Sequence, residues 1–212
     1  RGKKIVMTLD NAERFYIHLG MSGRLTLDSG GELLSHTHLV LDMDNNLQLR
    51  FRDPRRFGGV WWLGSQGVSD DGMGPEPLKL RAEQLAARLE KTRRAIKTAL
   101  LDQGIIAGLG NIYADEALFA ARINPLIPAN RLTRAQISAL SRAIKATLNR
   151  ALRSKGSTLR DYRDADGNPG AFQKLHRVYG RAGEKCVRCR TPIQRIVLGG
   201  RSTHFCPHCQ PE

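Results

Sequence analysis

Cysteine is scarce in this 212-residue chain, and its four copies all lie between positions 186 and 209. No disulfide framework can therefore hold the first 185 residues together, which must bury a core of their own. No apolar run approaches the roughly 20 residues needed to span a bilayer, and the first residues do not read as a secretory leader. An initiating methionine is also missing. Arg1 opens almost directly onto the strand-like run Lys3 to Leu9, so the expectation is that a segment lies upstream. Acidic residues are short too, 20 against 34 lysines and arginines, for a net charge of +14. That surplus points to a polyanion. Nucleic acid fits best, because neutralising its phosphates releases condensed counterions, while a membrane surface or an acidic protein meets the same charge argument.

The cysteines form two Cys-x-x-Cys pairs, Cys186/Cys189 and Cys206/Cys209, separated by sixteen residues. This spacing lets two knuckles supply four thiolates to one tetrahedral Zn2+. A pair of disulfides is the competing reading.

Up to Leu63 the chain reads as short alternating runs: Phe15 to Leu19, Arg24 to Leu27, His38 to Met43, Leu47 to Arg52 and Gly59 to Leu63. The stretches 28–31 and 44–46 have hairpin-turn composition. An antiparallel β domain is expected, a sandwich or flattened barrel. Gly72, Gly74, Pro75 and Pro77 then interrupt regular structure, and the apolar period changes from two to about 3.6. Helices are expected at Ala82 to Glu90, Ala95 to Gln103, Ile112 to Ala121 and Arg134 to Arg153. The last opens on a capping box, Thr133 with Gln136, and carries an apolar stripe of Ile137, Leu140, Ile144, Leu148 and Leu152. Its other face bears Arg134, Arg142, Lys145 and Arg150, suited either to solvent or to DNA.

Between two of these helices Gly104, Gly108 and Gly110 lead to Asn111, an expected N-cap. Glycines let a backbone approach a phosphate, and a helix N-terminus attracts one; a tight inter-helix turn needs the same residues. The segment lacks Gly-Lys-Ser/Thr and a preceding strand, so it is not a nucleotide-binding P-loop.

Seven motifs occur in a recognisable order: residues 18–23 (HLGMSG), 53–58 (DPRRFG), 74–78 (GPEPL), 109–116 (LGNIYADE), 170–173 (GAFQ), 178–181 (VYGR) and 199–206 (GGRSTHFC). With them the chain resembles the formamidopyrimidine-DNA glycosylase family of base-excision repair enzymes. The resemblance implies an α+β fold: an antiparallel β-sandwich domain (1–72), incomplete at its start, and a linker (73–80). A helix–two-turns–helix domain (81–156), a lesion-recognition loop (157–176) and a zinc-finger hairpin (177–212) follow. It implies a monomer acting on double-stranded DNA that contains a damaged base, in the bacterial cytoplasm, with one structural Zn2+ on Cys186, Cys189, Cys206 and Cys209.

It also implies site residues. Met21, Arg55 and Phe57 match the three side chains that fill the gap left by an extruded base. A thioether, a planar cation and an aromatic ring suit filling, pairing with the orphaned base and wedging. In composition alone Met21 and Phe57 read as core. His36 matches a DNA-contacting histidine, although Thr37 stands between the two histidines where many relatives have aspartate. Asn111 matches a phosphate-binding asparagine, and Lys97 a lysine near the damaged site. Thr92 replaces a usual basic residue, whose part Lys91 or Arg93 could take.

The family attacks the sugar with the amine of an N-terminal proline assisted by a glutamate, and the resulting imine drives elimination. Neither residue is in this sequence, so the 212 residues alone are expected to be inactive. Lys3 matches the lysine assigned to the first elimination and Arg201 the arginine assigned to the second. The high pKa of a guanidinium favours phosphate clamping for Arg201. A loop-forming stretch at 164–170 favours oxidised purines over the oxidised pyrimidines taken by endonuclease VIII-like relatives, though it also suits a plain linker. A damaged-DNA-binding module without catalysis is the alternative from another class.

Overall fold

The computed structural model describes residues 1–65, 67, 72–158 and 168–212. By contacts the chain divides into two units, Lys3–Asp71 with Arg153–Lys174, and Gly72–Leu152 with Leu175–Glu212.

The first unit holds six strands: β1 (Lys4–Thr8), β2 (Arg14–His18), β3 (Arg24–Asp28), β4 (Thr37–Asp42), β5 (Gln48–Arg52) and β6 (Gly59–Gly64). They form two antiparallel three-stranded sheets, ordered β1-β2-β6 and β3-β5-β4. Alternation puts Phe15 and Ile17 of one sheet and Phe51 of the other in a common core, with Met7, Leu25, Leu39 and Leu41 packed around them. The expected hairpin at 28–31 is not there. β3 and β4 both pair with β5, so this connection crosses over β5. Arg50 supplies the reason. Nearly buried on β5, it donates to Gly31 O and Glu32 O and lies 3.3 Å from Asp28 Oδ2, holding the crossover against the central strand. The turn at 44–46 does join the adjacent strands β4 and β5, with Asn46 at positive φ.

The second unit is built on α1 (Ala82–Leu89), α2 (Ile96–Leu101), α3 (Asn111–Ala121) and α4 (Arg134–Arg153), followed by the hairpin β7 (Gln194–Leu198) and β8 (Arg201–Phe205). The capping box of α4 forms in both directions, Thr133 N to Gln136 Oε1 at 2.8 Å and Gln136 N to Thr133 Oγ1 at 3.2 Å. Ile137, Leu140 and Ile144 enter the core with Leu85, Leu100 and Leu118, and Leu148 packs against it. Leu152, expected on the same stripe, is exposed, because the last turn of α4 passes beyond that core.

Candidate nucleic-acid interface

In the first unit the loops around Met21 and around Arg55 and Phe57 lie back to back. A Cβ on Gly20, at φ +62°, would fall 2.6 Å from Gly58 N, so only glycine lets the two backbones approach this closely. Asp53, 0 % exposed, joins them. Its carboxylate accepts from Ser22 Oγ at 2.6 Å and from Gly58 N at 2.7 Å, and Ser22 Oγ in turn accepts from Arg55 N at 3.3 Å. Burial opposes the charge on Asp53 as the largest single influence, but the bonds from Ser22 and the Gly58, Arg55 and Phe57 amides together hold its pKa below 3.8. On this support Met21 and Phe57 each stand 59 % exposed, and Arg55 is exposed with no side-chain partner among the described residues. Neither apolar side chain is core.

The same aspartate reaches the histidines. Asp53 N donates to His36 O at 3.0 Å, and His38 Nε2 lies 3.0 Å from Asp53 O. His36 is exposed at φ +67°. Thr37 Oγ1 donates to Leu34 O at 2.7 Å, a bond an aspartate could not make as a donor. Lys3, at φ +66°, lies near enough to His18 that its charge, after burial and together with Lys4, lowers the imidazole pKa. Ser22 and Asp53 lie within the motifs 18–23 and 53–58, but no local pattern marks their task. A buried serine next to a glycine-flanked methionine leaves no periodic signal.

In the second unit two consecutive turns separate α2 from α3. Asp102 organises the first, accepting from Gly104 N at 2.8 Å and from Arg94 at 2.7 Å. Gln103 organises the second, accepting from Gly108 N at 2.7 Å and donating to Leu101 O and Leu109 O. The Arg94 bond, then the Gly104 amide, hold the Asp102 pKa low against its burial. Gly110, not Asn111, is the N-cap of α3. Asn111 is the first helical residue because its side chain is engaged elsewhere: Nδ2 donates to Ser202 O on β8 at 3.0 Å. This brings Asn111 beside Arg201, which is exposed at the start of β8. The hairpin reverses through Gly199 and Gly200, both at positive φ, as a two-residue turn requires.

Lys97 does not reach the surface. It is 0 % exposed, paired with Asp115 and donating to Ser202 O at 2.9 Å, so in this structure its partners lie inside the protein. Burial lowers its pKa, opposed by Asp115.

The hairpin is anchored to α3 at several points. Asp115 Oδ2 accepts His204 N at 2.9 Å, and the buried Glu116 carboxylate accepts the amides of Arg177, Val178 and Tyr179. Arg188, inside the first knuckle, donates to Phe119 O at 2.8 Å and lies over the Phe119 ring, a cation on the C-terminal carbonyls of a helix. The Sγ atoms of Cys186, Cys189, Cys206 and Cys209 all lie within 4.8 Å of one another. Tetrahedral Zn–S bonds of about 2.3 Å place sulfurs about 3.8 Å apart, and Cys186 to Cys209 is 3.9 Å and Cys189 to Cys206 is 3.4 Å. Amides of Arg188 and Cys209 point at Cys186 Sγ and Cys206 Sγ, as thiolates need. The donor set fits one structural Zn2+, and the cysteines are not disulfide-bonded.

Much of the expected lesion loop, positions 159–167, lies outside the described residues. Its flanks are joined: Gly170 N donates to Thr158 Oγ1 at 2.8 Å, Thr158 N to Gln173 Oε1 at 3.0 Å and Ala171 N to Ser154 O at 2.8 Å.

These modules have counterparts in known proteins. Residues 1–60 match the formamidopyrimidine-DNA glycosylase N-terminal domain, 73–163 the formamidopyrimidine-DNA glycosylase H2TH domain, and 183–211 a zinc finger found in FPG and IleRS. Together they define a protein of the class that joins an H2TH domain to a zinc finger. The formamidopyrimidine-DNA glycosylase of Herpetosiphon aurantiacus is 45% identical over 99% of this chain and 79% of its own length, and that of Chloroflexus aurantiacus 47% identical over 99% and 77%. The crystal structure of MutM (Fpg) from Thermus thermophilus superposes with a TM-score of 0.91 at 42% identity, covering 100% of this chain and 81% of that one. Lactococcus lactis Fpg, solved in complex with DNA containing an abasic site, gives 0.92 at 36%, covering 100% and 80%. The chain belongs to the formamidopyrimidine-DNA glycosylase (Fpg/MutM) family.

Proposed function

We propose that this protein is a base-excision repair DNA glycosylase with AP lyase activity, removing oxoguanine and formamidopyrimidines from duplex DNA. The observation that carries the reading is the display of Met21, Arg55 and Phe57. Two large apolar side chains and a guanidinium project from loops locked on one buried carboxylate, an arrangement that gives nothing to the core and suits a base stack that must be opened. Met21 fills the vacated space, Arg55 hydrogen-bonds the orphaned base, Phe57 wedges the step beside it, and His36 contacts the strand nearby.

In the second unit the turn before α3 and the zinc-held hairpin offer Asn111 and Arg201 to the phosphate backbone. Arg201 acts mainly as a clamp, since its guanidinium gives up a proton poorly. Lys3 serves the first elimination. The proposed substrate class is an oxidised purine. Lactococcus lactis Fpg in complex with Fapy-dG DNA and MutM in complex with carbocyclic 8-oxo-G DNA support that substrate class. The protein acts as a monomer where the bacterial chromosome is.

Borohydride trapping on duplex DNA containing oxidised guanine tests the reading. A covalent adduct is expected, and tight binding without one would leave only a DNA-binding module.

A further inference from the structure

One carbonyl in the second unit serves two donors. Ser202 O accepts from Lys97 Nζ at 2.9 Å and from Asn111 Nδ2 at 3.0 Å. Two residues along β8 the His204 amide donates to Asp115 Oδ2 at 2.9 Å, and Asp115 Oδ1 is the ion-pair partner of Lys97. Both charged side chains are shut off from solvent. A buried ion pair is a poor source of stability, because dehydrating two charges cancels most of what their attraction returns, and an apolar pair would pack as well. This pair does something an apolar pair cannot. It presents a donor to residue 202 and an acceptor to residue 204, fixing β8 beside the N-terminus of α3.

The second observation concerns Asn111 itself. Its Oδ1 is buried and finds no hydrogen-bond partner among the described residues. The side chain is therefore held by its Nδ2 end alone, on Ser202 O and, at 3.4 Å, on Ser202 Oγ. A buried acceptor without a donor costs free energy, so this is a conformation the amide gives up readily.

We propose that Lys97 is a positioning residue for DNA binding: it keeps the Ser202 carbonyl hydrogen-bonded while Asn111 turns its amide from that carbonyl to a phosphate oxygen. The proposal rests on the reading of Asn111 as a phosphate contact. A carbonyl has two lone pairs, and with Lys97 on one of them the departure of Asn111 leaves no unpaired oxygen. Without Lys97 the same turn would strand the oxygen, and Asn111 would be retained by the protein.

A double-mutant cycle tests this on the zinc-loaded protein, with affinity for a duplex carrying a tetrahydrofuran abasic analogue as the readout. Asn111→Ala and Lys97→Met are each expected to weaken binding about tenfold, the scale of one lost or stranded hydrogen bond to a charged or buried group. In the Asn111→Ala background Lys97→Met should cost less than about twofold, because no amide remains to be handed over. An equal cost of Lys97→Met in both backgrounds would make Lys97 merely structural and overturn the proposal. Wild-type binding by Asn111→Ala would instead overturn the phosphate reading beneath it. Zinc content and thermal melting report whether Lys97→Met folds. If it does not, the neutral pair Lys97→Gln with Asp115→Asn, too short to reach Ser202 O, goes through the same cycle with the same expectations.

Discussion

Ser22 Oγ donates to Asp53 Oδ1 over 2.6 Å, and that carboxylate, shared with the Gly58 amide, makes one support out of two loops distant in sequence. Replacing Asp53 with asparagine turns one acceptor oxygen into a donor facing the Ser22 or Gly58 donor. A loss of about 1.5–3 kcal/mol in urea unfolding is expected, the usual worth of a hydrogen bond to a charged group.

The ionisation of Asp53 gives this support a pH dependence. Its folded pKa lies below the ordinary 3.8, so its contribution is present above that value and lost as pH falls through the folded pKa. Asp102 behaves alike in the second unit. Melts taken from pH 5 downward should steepen below pH 3.8, and Asp53→Asn should flatten that part of the curve.

Met21→Ala and Phe57→Ala should leave stability within about 0.5 kcal/mol of wild type, as expected for exposed positions. Base extrusion should suffer in both. Fluorescence of 2-aminopurine placed beside the lesion measures it, and an unchanged signal in both variants would remove these residues from the DNA interface.

Arg188→Ala removes the cation from the C-terminal carbonyls of α3 and from the Phe119 ring. A loss of about 0.3–1 kcal/mol is expected for an exposed cation at a helix end. Zinc content, read by elemental analysis, should stay at one per chain, since the four thiols are untouched.

DNA affinity should fall steeply with salt. Arg201→Ala should reduce the slope of log K against log salt by about 0.9, the share of one phosphate, with zinc retained. Chelation should instead unfold the hairpin and abolish binding, because metal binding and folding of such small sites are linked.

Most of the secondary structure was legible in the chain. Alternation marked the strands to within a residue or two, and the Thr133/Gln136 box marked the start of α4 correctly, because both signals are local. The crossover from β3 to β4 was not legible. A turn-like composition at 28–31 looks the same whether the next strand pairs with β3 or passes β5, and Arg50 decides that from 18 or 19 residues away. Asn111 was mistaken for a cap for a similar reason: its partner Ser202 is 91 residues distant.

Sequence by itself determined the zinc ligands, the glycines at the tight turns and the family motifs, since each depends on residue type at short spacing. Only tertiary structure decided which polar residues work inside. Lys97 carries the same charge as Arg201, yet one is sealed against Asp115 and the other faces solvent. Asp53 is an ordinary turn aspartate until Ser22 and Gly58 converge on it. Burial and long-range hydrogen bonds set those roles, and both arise only when distant segments pack.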